Sequence, residues 1–195
     1  DLYLDYAGIR IREGDYKTAH QLLTNALAIP TDKSGAIGVL VPLAVCCYHL
    51  KEVSLAKKHS QDIAAIDSTN PHSLVNMAFL EIVDQNYDQS LFYYKKFIFG
   101  QYQDEQLVTQ VIEFLNQRLN ELPNEHALRF AIGVINFAYF DPEMGKTDLR
   151  SFVGAVGQDH RYRQMFTFAN NILTRGLEGA RKHLRRTARK RAAKC

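Results

Sequence analysis

The 195 residues are 46% hydrophobic and 23% charged, with 11 Gly, 5 Pro and no Trp, a balance that excludes disorder, collagen and a disulfide mini-scaffold. No stretch approaches the roughly 18 uncharged apolar residues that a membrane helix needs. The net charge of +3 is unevenly placed: from Arg175 to Cys195 nine Lys/Arg stand against Glu178, a local +8, which leaves the first 174 residues at −5.

The opening DLYLDYAGIRIREG is acidic first and lacks the basic-then-apolar order of a signal peptide; without a Met it reads as a trimmed or excised segment. Tyr3, Tyr6, Ala7 and Ile11 fall at helical spacing, Gly14-Asp15-Tyr16 interrupts them, and Ala19, Leu22, Leu23, Ala26 and Leu27 resume it as far as Pro30. That is a helix, a tight turn in which Gly can take positive φ, a second helix and a Pro stop. The same order returns with Leu43-Ala44, Ala56 and Asn70-Pro71, and again with Met77-Ala78, the turn Asn86-Tyr87, and Ser90. The vicinal Cys46-Cys47, inside LAVCCYHL, reads as two small core hydrophobes of a buried helix.

The marks Ala19, Ala56 and Ser90 are spaced by 37 and 34 residues. A two-helix unit of this period resembles the tetratricopeptide repeat (TPR). The bulky–small pair of that family falls on Tyr6-Ala7, Leu43-Ala44, Met77-Ala78 and Ile132-Gly133, and the turn tyrosine on Tyr16 and Tyr87, with Val53 in the middle unit. The family's first-helix Trp is absent, and its later Tyr is replaced by Arg10, Cys47, Glu81 and Asn136. The resemblance implies an all-α, right-handed solenoid of antiparallel helix pairs without a β-sheet. Each pair would bury its apolar stripe only by stacking on its neighbours.

Beyond Gly100, DEQLVTQVIEFLNQRLNELPN is one strongly periodic helix closed by Pro123, and HALRFAIGVINFAYF is a second. DPEMGKTD reads as a loop and the start of another helix through Leu149, Phe152 and Val153, and DHRYRQMFTFANNILTRG as a further helix, with Asp159 as an N-cap. Six helices to Gly100 and about five beyond give five repeats, or four and an inserted helix. The expected organisation is a repeat array over 1–174 and a basic capping helix or tail over 175–195, whose narrow apolar stripe is Leu177, Ala180, Leu184 and Ala188.

No catalytic constellation emerges. Gly145-Lys146-Thr147 resembles the end of a phosphate loop, but Phe140 stands where the first Gly belongs. His20, His49, His59, His72, His126, His160 and His183 include no i, i+4 pair flanking a carboxylate, and His59 with Asp62 reads as a solvated surface pair, so neither a metal nor a cofactor is expected. The expectation is a non-catalytic scaffold or adaptor.

The resemblance places a partner-binding groove on the first helices, with Asp5, Ile9, Arg12, Asn76, Phe79, Val83, Arg129 and Asn136 as candidates. The Asn with which some family members clamp a chaperone's terminal carboxylate is replaced by Gly8, Val45, Phe79 and Val134, which favours a helical or hydrophobic peptide. In the cluster Phe92-Tyr93-Tyr94 with Phe97 and Phe99, Phe92 or Phe99 is a candidate contact for homo-oligomers. The alternative function is nucleic-acid or anionic-membrane binding through Arg181, Lys182, Arg185, Arg186, Arg189, Lys190 and Arg191. Few cysteines and no N-glycosylation sequon point to a reducing, cytoplasmic setting.

Overall fold

A computed structural model describes residues 2–192, with side chains described as far as 183. Among the described residues it holds ten α-helices, one 3-10 turn and no strand. The chain divides into two compact units, Asp1–Asp84 and Gln85–Cys195.

The first unit contains α1 (Leu2–Arg12), α2 (Tyr16–Leu27), α3 (Lys33–His49), α4 (Val53–Ile66) and α5 (Pro71–Val83). Side-chain caps set three of the starts: Asp15 accepts from Thr18 N–H at 3.1 Å, Asp32 from Gly35 N–H at 2.7 Å and Asn70 from Ser73 N–H at 3.1 Å. The reversals after α1 and α3 use the same closure. A residue in the left-handed region, Gly14 at φ 79° or Lys51 at φ 68°, is followed by one whose N–H reaches back to the helix. Asp15 N–H reaches the Arg10 carbonyl at 2.9 Å and Glu52 N–H the Cys47 carbonyl at 2.8 Å. The first needs the freedom of Gly; the second places a Lys where it costs about 1 kcal/mol.

Ala7 meets Ala19, Leu23, Ala26, Val39, Leu43 and Cys46 in one buried cluster, with Leu4, Ile11, Tyr16 and Leu22 partly covered against it. Elsewhere in the unit, Ser73 Oγ donates to the Ser60 carbonyl at 2.7 Å, tying α5 to α4. Lys57 Nζ on α4 bridges Glu81 Oε1 at 2.9 Å and Asp84 Oδ2 at 2.7 Å. Pro42 lies inside α3, where it has no N–H to offer the preceding turn.

The second unit is organised on α8 (His126–Tyr139), which packs with α6 (Tyr87–Gly100), α7 (Glu105–Glu121), α9 (Pro142–Val156) and α10 (Arg163–Ala192). Its residues from Phe130 to Asn136 are all buried, as befits a helix apolar on nearly every side. The crossing with α9 is set by two glycines. A Cβ on Gly133 would meet Leu149 Cγ at 3.0 Å, and one on Gly145 would meet the main-chain nitrogen of Phe137 at 2.4 Å.

These glycines extend a pattern. Ala7/Ala19, Ala44/Ala56, Ala78/Ser90 and Gly133/Gly145 are each twelve residues apart, and all eight are buried; α7 stands outside the series.

One expectation changes in this unit. The helix starts at Pro142, so the loop expected within DPEMGKTD shrinks to its first residue, because Asp141 caps Glu143 N–H at 2.8 Å and Pro142 occupies the first turn. In α10, Gly176 breaks the helix at φ 65°, ψ 177°, a conformation that only Gly adopts readily, so the segment after it runs in a new direction. The 3-10 turn His160–Tyr162 is capped by Asp159, which accepts from Arg161 N–H at 3.0 Å.

Candidate functional site

Exposed apolar side chains concentrate on α1. Leu2, Tyr6 and Ile9 share a face at i, i+4 and i+7; Tyr6 is 51% and Ile9 40% exposed, and Tyr3 adjoins them. Sequence periodicity places Tyr3 and Tyr6 on a buried stripe, but Ala7 is the position that points into the core. Asp5 and Arg12 are exposed on the same helix, and the Arg10 guanidinium lies 6.0 Å from the centre of the Tyr6 ring while bonding Glu13 at 2.7 Å.

Of the other candidates in the first unit, Asn76 is half-buried and Val83 exposed. Phe79 is a correction: it is only 6% exposed, because its ring is taken up edge-on by Tyr48 at 4.9 Å. In the second unit Arg129 is half-buried, 4.0 Å from Asp148 Oδ1. Asn136 is also a correction: it is 5% exposed and donates through Nδ2 to Asp148 Oδ2 at 3.2 Å, so it serves the contact between α8 and α9.

Phe92 is exposed, with Lys96 Nζ 4.7 Å above its ring. Phe99 is half-buried, met edge-on by Phe168 at 6.2 Å and covered by the Arg181 guanidinium at 5.3 Å. Arg181 also reaches Glu178 at 3.7 Å, so this member of the basic tail is engaged in packing; Lys182 is exposed. The side chains of Arg185, Arg186, Arg189, Lys190 and Arg191 lie outside the described residues. No helix among the described residues is long and apolar enough to cross a membrane.

The polar groups inside the second unit are paired in ways that account for their character. The rings of Tyr87 and Tyr162 meet at 4.4 Å, tilted by 34°, and both hydroxyls share the carboxylate of Glu125, whose Oε1 also accepts from Ala127 N–H at 3.1 Å. Burial, reinforced by this hydrogen bonding, pushes the Tyr87 hydroxyl far above its ordinary range, and burial also raises Tyr162. The phosphate-loop-like triplet is spent on α9: Gly145 faces Phe137, Lys146 pairs with Glu143 at 2.6 Å and Thr147 Oγ donates to the Glu143 carbonyl at 3.0 Å.

One grouping has no local sequence signature. A ring nitrogen of His20 on α2, the Cys47 Sγ on α3 and a carboxylate oxygen of Glu52 before α4 all lie within 4.8 Å of one another. They are separated by 27 and 5 residues, so a search for closely spaced ligands passes over them. The available signal is structural: His20 stands one residue after the small mark of one second helix, and Cys47 three after the small mark of the next first helix. Cys46 and Cys47 are free and buried; burial raises both thiols, Cys46 to about 12 and Cys47, with the Glu52 charge adding to it, to about 11.

No family model matches the sequence, and no curated protein matches it. A solved structure of a MamA mutant is similar at 14% identity with a TM-score of 0.46, over 91% of this chain and 90% of that one. That likeness is too distant to assign a family.

Proposed function

We propose that the chain is a non-catalytic protein-interaction scaffold of TPR type, which holds an apolar helix or peptide of a partner against its first helices. The observation that carries this reading is the face of α1, where Tyr6 and Ile9 remain exposed between the charged Asp5 and Arg12. An apolar centre with a charged rim is the anatomy of a protein contact surface. Asn76 and Val83 extend the candidate set on α5 of the same unit, and Arg129 stays a separate candidate within the second unit. Two buried, unpaired thiols fit a reducing compartment such as the cytoplasm.

The test is a capture from source lysate with the intact chain, with a chain ending at Arg175, and with the double variant Tyr6→Glu/Ile9→Glu, each washed at low and high salt. Retention of a protein by the first two at high salt and its loss from the third supports the reading. Capture of nucleic acid or lipid by the intact chain alone, released by salt, would sink it and place the activity in the basic segment.

A further inference from the structure

Cys47 lies one turn from the end of α3, and the backbone closure there brings residue 52 back over residue 47. Leu50, Lys51 and Glu52 N–H donate to the carbonyls of Cys46, Tyr48 and Cys47 at 2.9, 3.0 and 2.8 Å. Glu52 occupies the N-cap of α4, yet its side chain makes no cap hydrogen bond. Among the described residues its carboxylate has no hydrogen bond or ion pair, although its charge is felt at the Cys47 thiol. Across from this turn, half-buried His20 projects from α2 with its ring free of hydrogen bonds among the described residues. On α4, half-buried His59 keeps its Nδ1 buried without a hydrogen bond, 3.9 Å from Asp62, and burial lowers its imidazole below the ordinary value.

We propose that His20, Cys47 and Glu52 form a binding site for a divalent d-block cation of the zinc class. The donors are one imidazole nitrogen, one sulfur and one carboxylate oxygen. That set suits zinc and its neighbours and does not suit magnesium or calcium, which take oxygen donors. With metal–sulfur near 2.3 Å and metal–nitrogen or –oxygen near 2.0–2.2 Å, tetrahedral ligand atoms sit about 3.4–3.6 Å apart. From a spread of up to 4.8 Å the three donors close by rotamer changes in His20 and exposed Glu52, while buried Cys47 stays fixed. The cation enters on the Glu52 side; the Cys47 S–H bond breaks, the sulfur–metal bond forms, and the proton leaves to solvent. Three protein ligands leave the fourth position to water. The bound cation clips α2, α3 and the start of α4 together.

The experiment titrates cobalt(II) into the full chain carrying Cys195→Ser, then displaces it with zinc(II). The expected result is one equivalent bound, with the thiolate-to-cobalt charge-transfer band and strong tetrahedral d–d bands. Cys47→Ser abolishes the charge-transfer band and Cys46→Ser keeps it. His20→Ala and Glu52→Gln, with unchanged circular dichroism, each weaken binding by at least about tenfold. Should Cys47→Ser fail to fold, exposed Glu52→Gln carries the decision alone. Absence of the band in the parent chain, its survival in Cys47→Ser, or unchanged affinity in Glu52→Gln would overturn the site.

Discussion

Replacing Gly145 by Ala puts one methyl group where two helices nearly touch. Its Cβ would stand 2.4 Å from Phe137 N and 2.6 Å from Phe137 Cα, atoms of a helix that is itself buried along most of its length. Ordinary contact begins near 3.4 Å, so α9 must withdraw by roughly 1 Å in a close-packed interior. Overpacking of this kind costs about 1–3 kcal/mol, and the upper end applies because main-chain atoms cannot rotate aside. Against it stands a gain of about 1 kcal/mol from exchanging a helical Gly for Ala. The net expectation is a loss of about 2 kcal/mol, or a melting temperature of the second unit lower by about 9 °C.

Gly154, in the same helix, has nothing within 4 Å of its would-be Cβ. Gly154→Ala therefore keeps the propensity gain and raises stability by about 0.5–1 kcal/mol. Urea unfolding followed by circular dichroism, with calorimetry to separate the transitions of the two units, measures both variants. A Gly145→Ala protein as stable as its parent would refute the close crossing of α8 and α9.

Lys57→Met removes the cation that bridges the nearly buried Glu81 and the Asp84 carboxylates, leaves the two like charges unscreened, and should destabilise the first unit by about 1–2 kcal/mol in a denaturant titration, with Glu81→Gln in the same background restoring part of it. Lys51→Gly relieves a left-handed backbone and should raise the denaturation midpoint by the equivalent of about 0.5–1 kcal/mol. The Arg161 side chain and its N–H hold the Asp159 carboxyl at about 2, below its ordinary 3.8. Because the folded-state value is the lower one, the stabilisation is present above pH about 4 and is lost as pH falls through about 2. Carboxyl resonances followed by NMR should place the Asp159 midpoint near 2 and move it upward in Arg161→Met.

Much of the architecture was legible because small residues record close approach directly. Ala7, Ala19, Ala44 and Ala56 stand out in the sequence and are buried in the structure. The twelve-residue interval also reaches Gly133 and Gly145, but there it was obscured by the resemblance of Gly145-Lys146-Thr147 to a phosphate loop and by a helix start left open within 141–148. The weight of an Asp-Pro start outranks both signals.

Groove membership was less legible. Helical periodicity says which residues share a face, not how deeply a neighbour covers it, and Phe79 and Asn136 lie beneath Tyr48 and Asp148 respectively. Tyr3 and Tyr6 err the other way, apolar by type and exposed by position. The His20, Cys47 and Glu52 grouping joins α2, α3 and the turn before α4, and only the repeat register, not close spacing along the chain, hints at it.

The twelve-residue interval between buried small residues also says how this chain can diverge. Each interval marks two buried positions with little room for added volume, while the remaining core sites tolerate exchange among apolar residues of similar size. A saturation library sorted on folding would therefore display paired notches of intolerance at 7 and 19, 44 and 56, 78 and 90, and 133 and 145. A lineage could rewrite nearly all of its exposed faces, and so its choice of partner, while those notches stayed fixed.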